Sequence, residues 1–164
     1  MQGIRYRAER KGCFVEGIQG SQDQQLASQR LLCQALPDNK TQKKIYMIQE
    51  FCNCLNLEDL LKERGTLGQE EARIIMKQLV LGLKDLQSLK VVHRNLRLSN
   101  ILLHFREEPK LNMLSYAKKR AFLKQIDLTK VKFEAKIAGF NHSRVLEDTP
   151  ANLSIVGTPL YQSP

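Results

Sequence analysis

What the 164 residues lack narrows the possibilities before any motif is read. No stretch approaches the run of about 18 apolar residues that a membrane-spanning helix needs, and no apolar leader opens the chain. Neither a membrane span nor a signal peptide is therefore expected. Cys13, Cys33, Cys52 and Cys54 are too scattered for a disulfide framework, so an intracellular, cytoplasmic setting with reduced thiols is expected. Cys52 and Cys54 have no second pair, and His93, His104 and His142 stand far apart, a spacing that argues against zinc. Acid is scarce. With 17 Asp and Glu against 26 Lys and Arg, the net charge is +9. A basic surface can meet nucleic acid, anionic lipid or acidic protein. The charge is dispersed and no nucleic-acid-binding motif accompanies it, so a specific nucleic-acid partner is not expected.

What is present reads as an ordinary globular chain, 42% hydrophobic and 26% charged, long enough for one core. Residues 1–20 suggest a hairpin turning at Gly12. Residues 21–36 suggest a helix capped by Ser21 and stopped by Pro37-Asp38-Asn39. Lys44 to Phe51 is a strand candidate. Asn56 can cap a short helix that Gly65 ends. Gly68 to Ser88 predicts the longest helix, with Ala72, Ile75, Met76, Leu79, Leu83 and Leu86 along one face. Val91-Val92 and Ile101–Leu103 flank a polar loop in the manner of two buried strands. Within 104–135, Leu111–Ile126 has helix formers and a Lys118-Lys119-Arg120 cluster; a solvated surface insertion is the expectation there. Val131, Phe133 and Ala135 alternate as a strand over 130–136, and 141–156 is polar and turn-prone.

Three segments carry a family resemblance. His93-Arg94-Asn95-Leu96-Arg97-Leu98-Ser99-Asn100 resembles the protein kinase catalytic loop H-R-D-L-x-x-x-N, with Asn95 in place of the aspartate. Lys136-Ile137-Ala138-Gly139-Phe140 resembles K-I-x-D-F-G, with Gly139 in place of the second aspartate. Gly157-Thr158-Pro159-Leu160-Tyr161-Gln162-Ser163-Pro164 is similar to G-T-P-L-Y-x-A-P. The three stand in the family's order behind a fitting helix. The resemblance implies an α+β, incomplete protein-kinase-like two-lobe fold. A partial β-rich small lobe would occupy 1–51, and the front of the helical large lobe 52–164, with the insertion at 104–135. A complete two-lobe domain needs roughly 250 residues, and the family's next residue after Pro164 is a glutamate, so a fragment or truncated domain is expected.

The resemblance also assigns roles. Asn95 takes the catalytic aspartate position and Arg97 the lysine position of serine/threonine kinases. Arg94 could pair with phosphate on Ser143, Thr149 or Ser154. Glu16 falls at the strand lysine. Glu50, Phe51 and Cys52 form the hinge behind gate residue Gln49, and Leu102 floors the adenine pocket, which Phe14 could fill. His93 and Phe140 occupy internal spine positions. Asn100 is the remaining magnesium-ligand position, because Gly139 has no side chain to offer. Gly3 stands alone where a glycine-rich loop is required, and the 21–36 helix has no acid to pair with a strand lysine. Phosphoryl transfer depends on positioning and charge neutralisation. Asn95 cannot act as a base, magnesium favours carboxylate oxygen, and Glu16 would repel a triphosphate. The expectation is a catalytically inactive pseudokinase that acts through protein partners and needs no cofactor. The alternatives are an atypical serine/threonine kinase that uses ATP and magnesium, and a decayed copy with no folded role.

Overall fold

A computed structural model describes residues 31, 35–40, 45–146 and 158–161. The expected N-terminal hairpin with Phe14 and Glu16, residues 21–30 and 32–34 of the expected helix 21–36, and Thr149, Ser154 and Gly157 lie outside the described residues. Strand β1 (Ala35–Lys40) pairs antiparallel with β2 (Ile45–Gln49). Ala35 and Leu36 are therefore strand and not the end of a helix. Pro37 explains the difference, because a residue before proline is pushed to extended backbone and proline itself cannot donate to a ladder. The register slips between Leu36 and Asn39, so the bulge absorbs the proline.

The short helix Leu57–Arg64 starts and ends as its residues dictate. The Asn56 side chain accepts from the Asp59 N–H at 2.9 Å, and Gly65 closes the helix at φ 76°. Leu57 and Leu60 face the core. The long helix Gln69–Ser88 buries Ile75, Leu79, Gly82 and Leu86. Two residues expected on that face, Met76 and Leu83, are instead exposed. The contact stripe is centred on Gly82, where an added Cβ would stand 3.1 Å from Ile137 Cδ1. A side chain at 82 would require the Ile137 side chain to shift by a few tenths of an ångström.

Strand β3 (Val91–Val92) pairs with β6 (Arg144–Val145), and β4 (Ile101–His104) pairs with β5 (Glu134–Ile137), both antiparallel. Strand β3 is less buried than expected, with Val91 half-buried and Val92 exposed. Along β4, Ile101 and Leu103 are buried and face the core with Ala135 and Ile137. Leu102 and His104 point to the opposite face, across from Lys136 and Glu134.

The segment between β4 and β5 is not a solvated appendage. It holds a 3-10 turn at Pro109–Met113 and a helix at Tyr116–Gln125, shorter than the expected 111–126. Leu111, Leu123, Leu128 and Phe133 join the main core. Phe105 packs edge-to-face on Phe122 and beside Phe133, with centroids 5.3 and 5.8 Å away. Arg64 Nε donates to Leu123 O at 2.8 Å, and Arg120 pairs with Glu63, which fastens the insertion helix to the short helix. Its period is loose because only a narrow face, Lys119, Phe122 and Leu123, is covered and the rest of the helix is exposed.

Candidate functional site

The loop between β3 and β4 and the turn after β5 meet at His93. Its Nδ1 accepts from the Asn95 N–H at 3.3 Å, so the ring proton sits on Nε2, which donates to Ala138 O at 2.9 Å. The ring meets Phe140 edge-to-face at 4.9 Å. The two spine positions are thus in contact. Arg94 sits at φ 60°, a left-handed conformation that bulky residues rarely adopt and that gathers at functional loops. Its Nε donates to His142 O at 2.6 Å, and its Nη1 is buried with no hydrogen-bond partner among the described residues. Ser143, an expected phosphate acceptor, is buried and donates to Phe140 O at 2.6 Å. That hydroxyl is not presented to a partner.

Asn95 is tied on both sides. Its Oδ1 accepts from the Thr158 hydroxyl at 3.0 Å, and its backbone oxygen accepts from Asn100 Nδ2 at 2.8 Å. Arg97 Nη1 approaches the same Thr158 hydroxyl at 3.4 Å, while its Nε is buried without a hydrogen-bond partner among the described residues. Asn95, Arg97 and Thr158 therefore form one cluster. The 3-10 turn Leu98–Asn100 sets Asn100 against Gly139, which lies at φ 82°. A Cβ at Gly139 would fall 2.7–2.8 Å from the Asn100 side-chain amide. The amide fills the space where a side chain at 139 would begin. With no carboxylate at either position and its remaining amide turned to Asn95, this set does not fit magnesium, which favours charged oxygen ligands. Among the described residues no group of His, Cys, Asp and Glu is arranged to hold a metal.

Of the hinge candidates, Glu50 meets a buried cation. Lys136 Nζ lies 2.7 Å from Glu50 Oε1 and 3.3 Å from Glu134 Oε2, with its side chain 1% exposed. The Glu50 side chain is thus directed to β5. Leu102, opposite Lys136 in the ladder, lies half-buried beside it. Cys52 and Cys54 are buried and in no disulfide, and burial pushes up the pKa of Cys54. Asn53 is held on several sides. Its Nδ2 donates to Phe105 O at 2.7 Å and Glu108 O at 3.3 Å, and its Oδ1 accepts from Phe105 N at 2.8 Å. Sequence reasoning assigned nothing to Lys136, Asn53 or Thr158. Lys136 and Thr158 lay inside quoted motifs, but their partners are distant in the chain; Asn53 carried no signal.

A buried imidazole, His93, and a half-buried one, His104, make stability depend on pH. Burial lowers the pKa of His93 below the ordinary 6.5, outweighing its bond to Ala138. Burial, with the Lys136 charge, does the same to His104 against the pull of Glu134 and Glu50. The unfolded chain then takes up protons that the folded chain refuses, so stability falls as pH drops below 6.5 towards the depressed values. Glu71 and Glu134 titrate lower. Burial raises each, but the Arg64 and Arg106 bonds respectively, with further polar contacts, bring both below 4.5. Urea unfolding should therefore show a lower midpoint at about pH 5.5 than at about pH 7.5; equal midpoints would mean the rings protonate in place.

Comparison with known proteins agrees with this geometry. The family model of the protein kinase domain matches residues 25–164. The probable serine/threonine protein kinase IRE4 of Arabidopsis thaliana is 34% identical over 122 residues, covering 73% of this chain and 12% of that protein. The probable serine/threonine-protein kinase CCRP1 of Zea mays is 38% identical over 81 residues, or 49% of this chain and 13% of its own length. The inactive serine/threonine-protein kinase PLK5 of Mus musculus is 38% identical over 73 residues, or 44% and 12%. The chain thus spans about an eighth of the length of these curated relatives.

Proposed function

The chain belongs to the protein kinase domain family, and from that premise we propose that it is an inactive member that works by binding other proteins. We place its small-lobe portion at 1–51 and its large-lobe portion at 52–164, with 104–135 as an insertion. The observation that carries the reading is the pair of lost carboxylates. Asn95 stands at the catalytic base position, bound to Thr158, and the space beside Gly139 is occupied by the Asn100 amide. An amide oxygen accepts a hydrogen bond but takes no proton at neutral pH. Phosphoryl transfer relies on charge neutralisation, and the cluster supplies cations (Arg94, Arg97) without the carboxylates that hold magnesium. One relative is itself named an inactive kinase, which favours the same reading. What survives is the scaffold: the His93–Phe140 contact and the tied loop hold surfaces in place without turnover.

Magnesium–ATP offered to the purified chain tests this. The expected result is no phosphate transfer and no rise in melting temperature. An Asn95→Asp/Gly139→Asp variant should remain inactive. The new Cβ at 139 must displace the Asn100 amide, and residue 139 must hold a left-handed backbone with a side chain attached, a strain of about 1–3 kcal/mol. Transfer by the native chain would overturn the proposal and favour the serine/threonine kinase with atypical residues.

A further inference from the structure

The long helix Gln69–Ser88 has a second apolar face beside its buried stripe of Ile75, Leu79, Gly82 and Leu86. On it Met76 is 56% exposed, Val80 49% and Leu81 46%. Arg73, Met76, Lys77 and Val80 stand at i, i+3, i+4 and i+7, and so do Lys77, Val80, Leu81 and Lys84. Four side chains in that arrangement form the hole that receives one side chain of a packing helix. These six residues line a single hollow of about 440 Å³. They therefore share a face by the space they enclose as well as by their spacing. Every residue lining the hollow belongs to this helix, so no other part of the described fold covers it.

Charge on this face is mixed at its ends and positive between them. Glu70 lies 3.5 Å from Arg73 at the N-terminal end and answers it. Asp85, half-buried, follows Leu81 by one turn and marks the other margin. Lys77 and Lys84 fall between the two acids along the helix, two turns apart and so nearly in line. Both are exposed, and neither has an ion-pair partner among the described residues. A second copy of this chain fits the face poorly. Antiparallel packing centred between Val80 and Leu81 sets Lys77 of each copy against Lys84 of the other, like charge on like.

We propose that this face binds an amphipathic helix of another protein, with apolar side chains entering the two holes and carboxylates set against Lys77 and Lys84. The proposal rests on the protein-binding role above and names the chemistry of the partner. Its apolar residues recur three and four apart, and its acids run along one flank. The apolar contacts carry most of the affinity, because exposed ion pairs each add little. The charges fix orientation: Lys77 and Lys84 attract the acidic flank, and Asp85 repels acids placed beyond Leu81.

The test is fluorescence anisotropy of the whole chain with a labelled helical peptide carrying Leu three and four apart on one face and Glu along its flank. A peptide of the same composition with its leucines scattered around the helix, and the in-phase peptide with Lys for Glu, serve as comparisons. The in-phase Glu peptide should bind at least about tenfold tighter than the scattered one and about fivefold tighter than its Lys version. Val80→Asp should weaken it by at least about tenfold. Lys77→Glu with Lys84→Glu should weaken it by about fivefold and turn the preference to the Lys peptide. Lys77→Glu alone, at an exposed position, should narrow the preference and keeps the test valid if the double variant fails to fold. No binding, equal binding of the scattered peptide, or indifference to charge reversal would each overturn the proposal. So would a dimer in analytical ultracentrifugation that Val80→Asp dissolves, or capture by phosphatidylserine vesicles that excludes the peptide, since the face would then belong to a second copy or to lipid. The readout is independent of catalysis. A chain that transfers phosphate can still bind the peptide, and an inactive chain can fail to, so the two proposals fall separately.

Discussion

Phe105→Ala is expected to destabilise the chain by about 4 kcal/mol, within the range for removing a buried phenylalanine. The ring is almost fully buried between Phe122 and Phe133. Its backbone is pinned as well, because Asn53 bonds both Phe105 N and Phe105 O. The site cannot collapse into the cavity by shifting the main chain, which places the loss in the upper part of the range. Phe105→Leu should lose only about 1–1.5 kcal/mol, since most of the volume is kept. Chemical denaturation followed by circular dichroism would read both. A loss under about 1 kcal/mol for the alanine variant would mean that the insertion is an appendage after all and contributes little to the core.

Lys136→Met is the second large effect, at about 3 kcal/mol, the usual scale for removing one partner of a buried ion pair. Methionine keeps most of the stem volume, so cavity formation contributes little. What is lost is the cation between Glu50 and Glu134, at 2.7 and 3.3 Å, leaving two carboxylates to face each other. Arg106 still pairs with Glu134 at 2.9 Å and limits the damage. Adding Glu134→Gln to Lys136→Met should therefore recover part of the loss, and a double-mutant cycle would measure the coupling. A neutral Lys136→Met would show that Glu50 is not anchored by this strand.

Much of the local structure was legible in the residues. Asn56 and Gly65 bound the short helix because cap and stop are made by neighbours in the chain. The long helix begins within one residue of its expected start at Gly68 and ends at Ser88, since its periodicity needs no distant partner. Which stripe of that helix is buried was only half legible. Gly82 has no side chain to count as hydrophobic, yet its lack of a Cβ is what admits Ile137. Pro37 was visible as a helix breaker, but a proline tolerated in a strand bulge requires the partner strand Ile45–Gln49 to be known.

The loss of the carboxylates at 95 and 139 was determined by the sequence alone, because no fold can restore a group the side chain does not contain. Tertiary structure decided what took their place. Thr158 reaches Asn95 across 63 residues, and the Asn100 amide fills the room beside Gly139. It also decided that Lys136 lies buried between two acids and that 104–135 enters the core. Those outcomes depend on which distant groups share a space, and an ion pair or a packed ring gains its energy from that proximity. Chain order does not carry it.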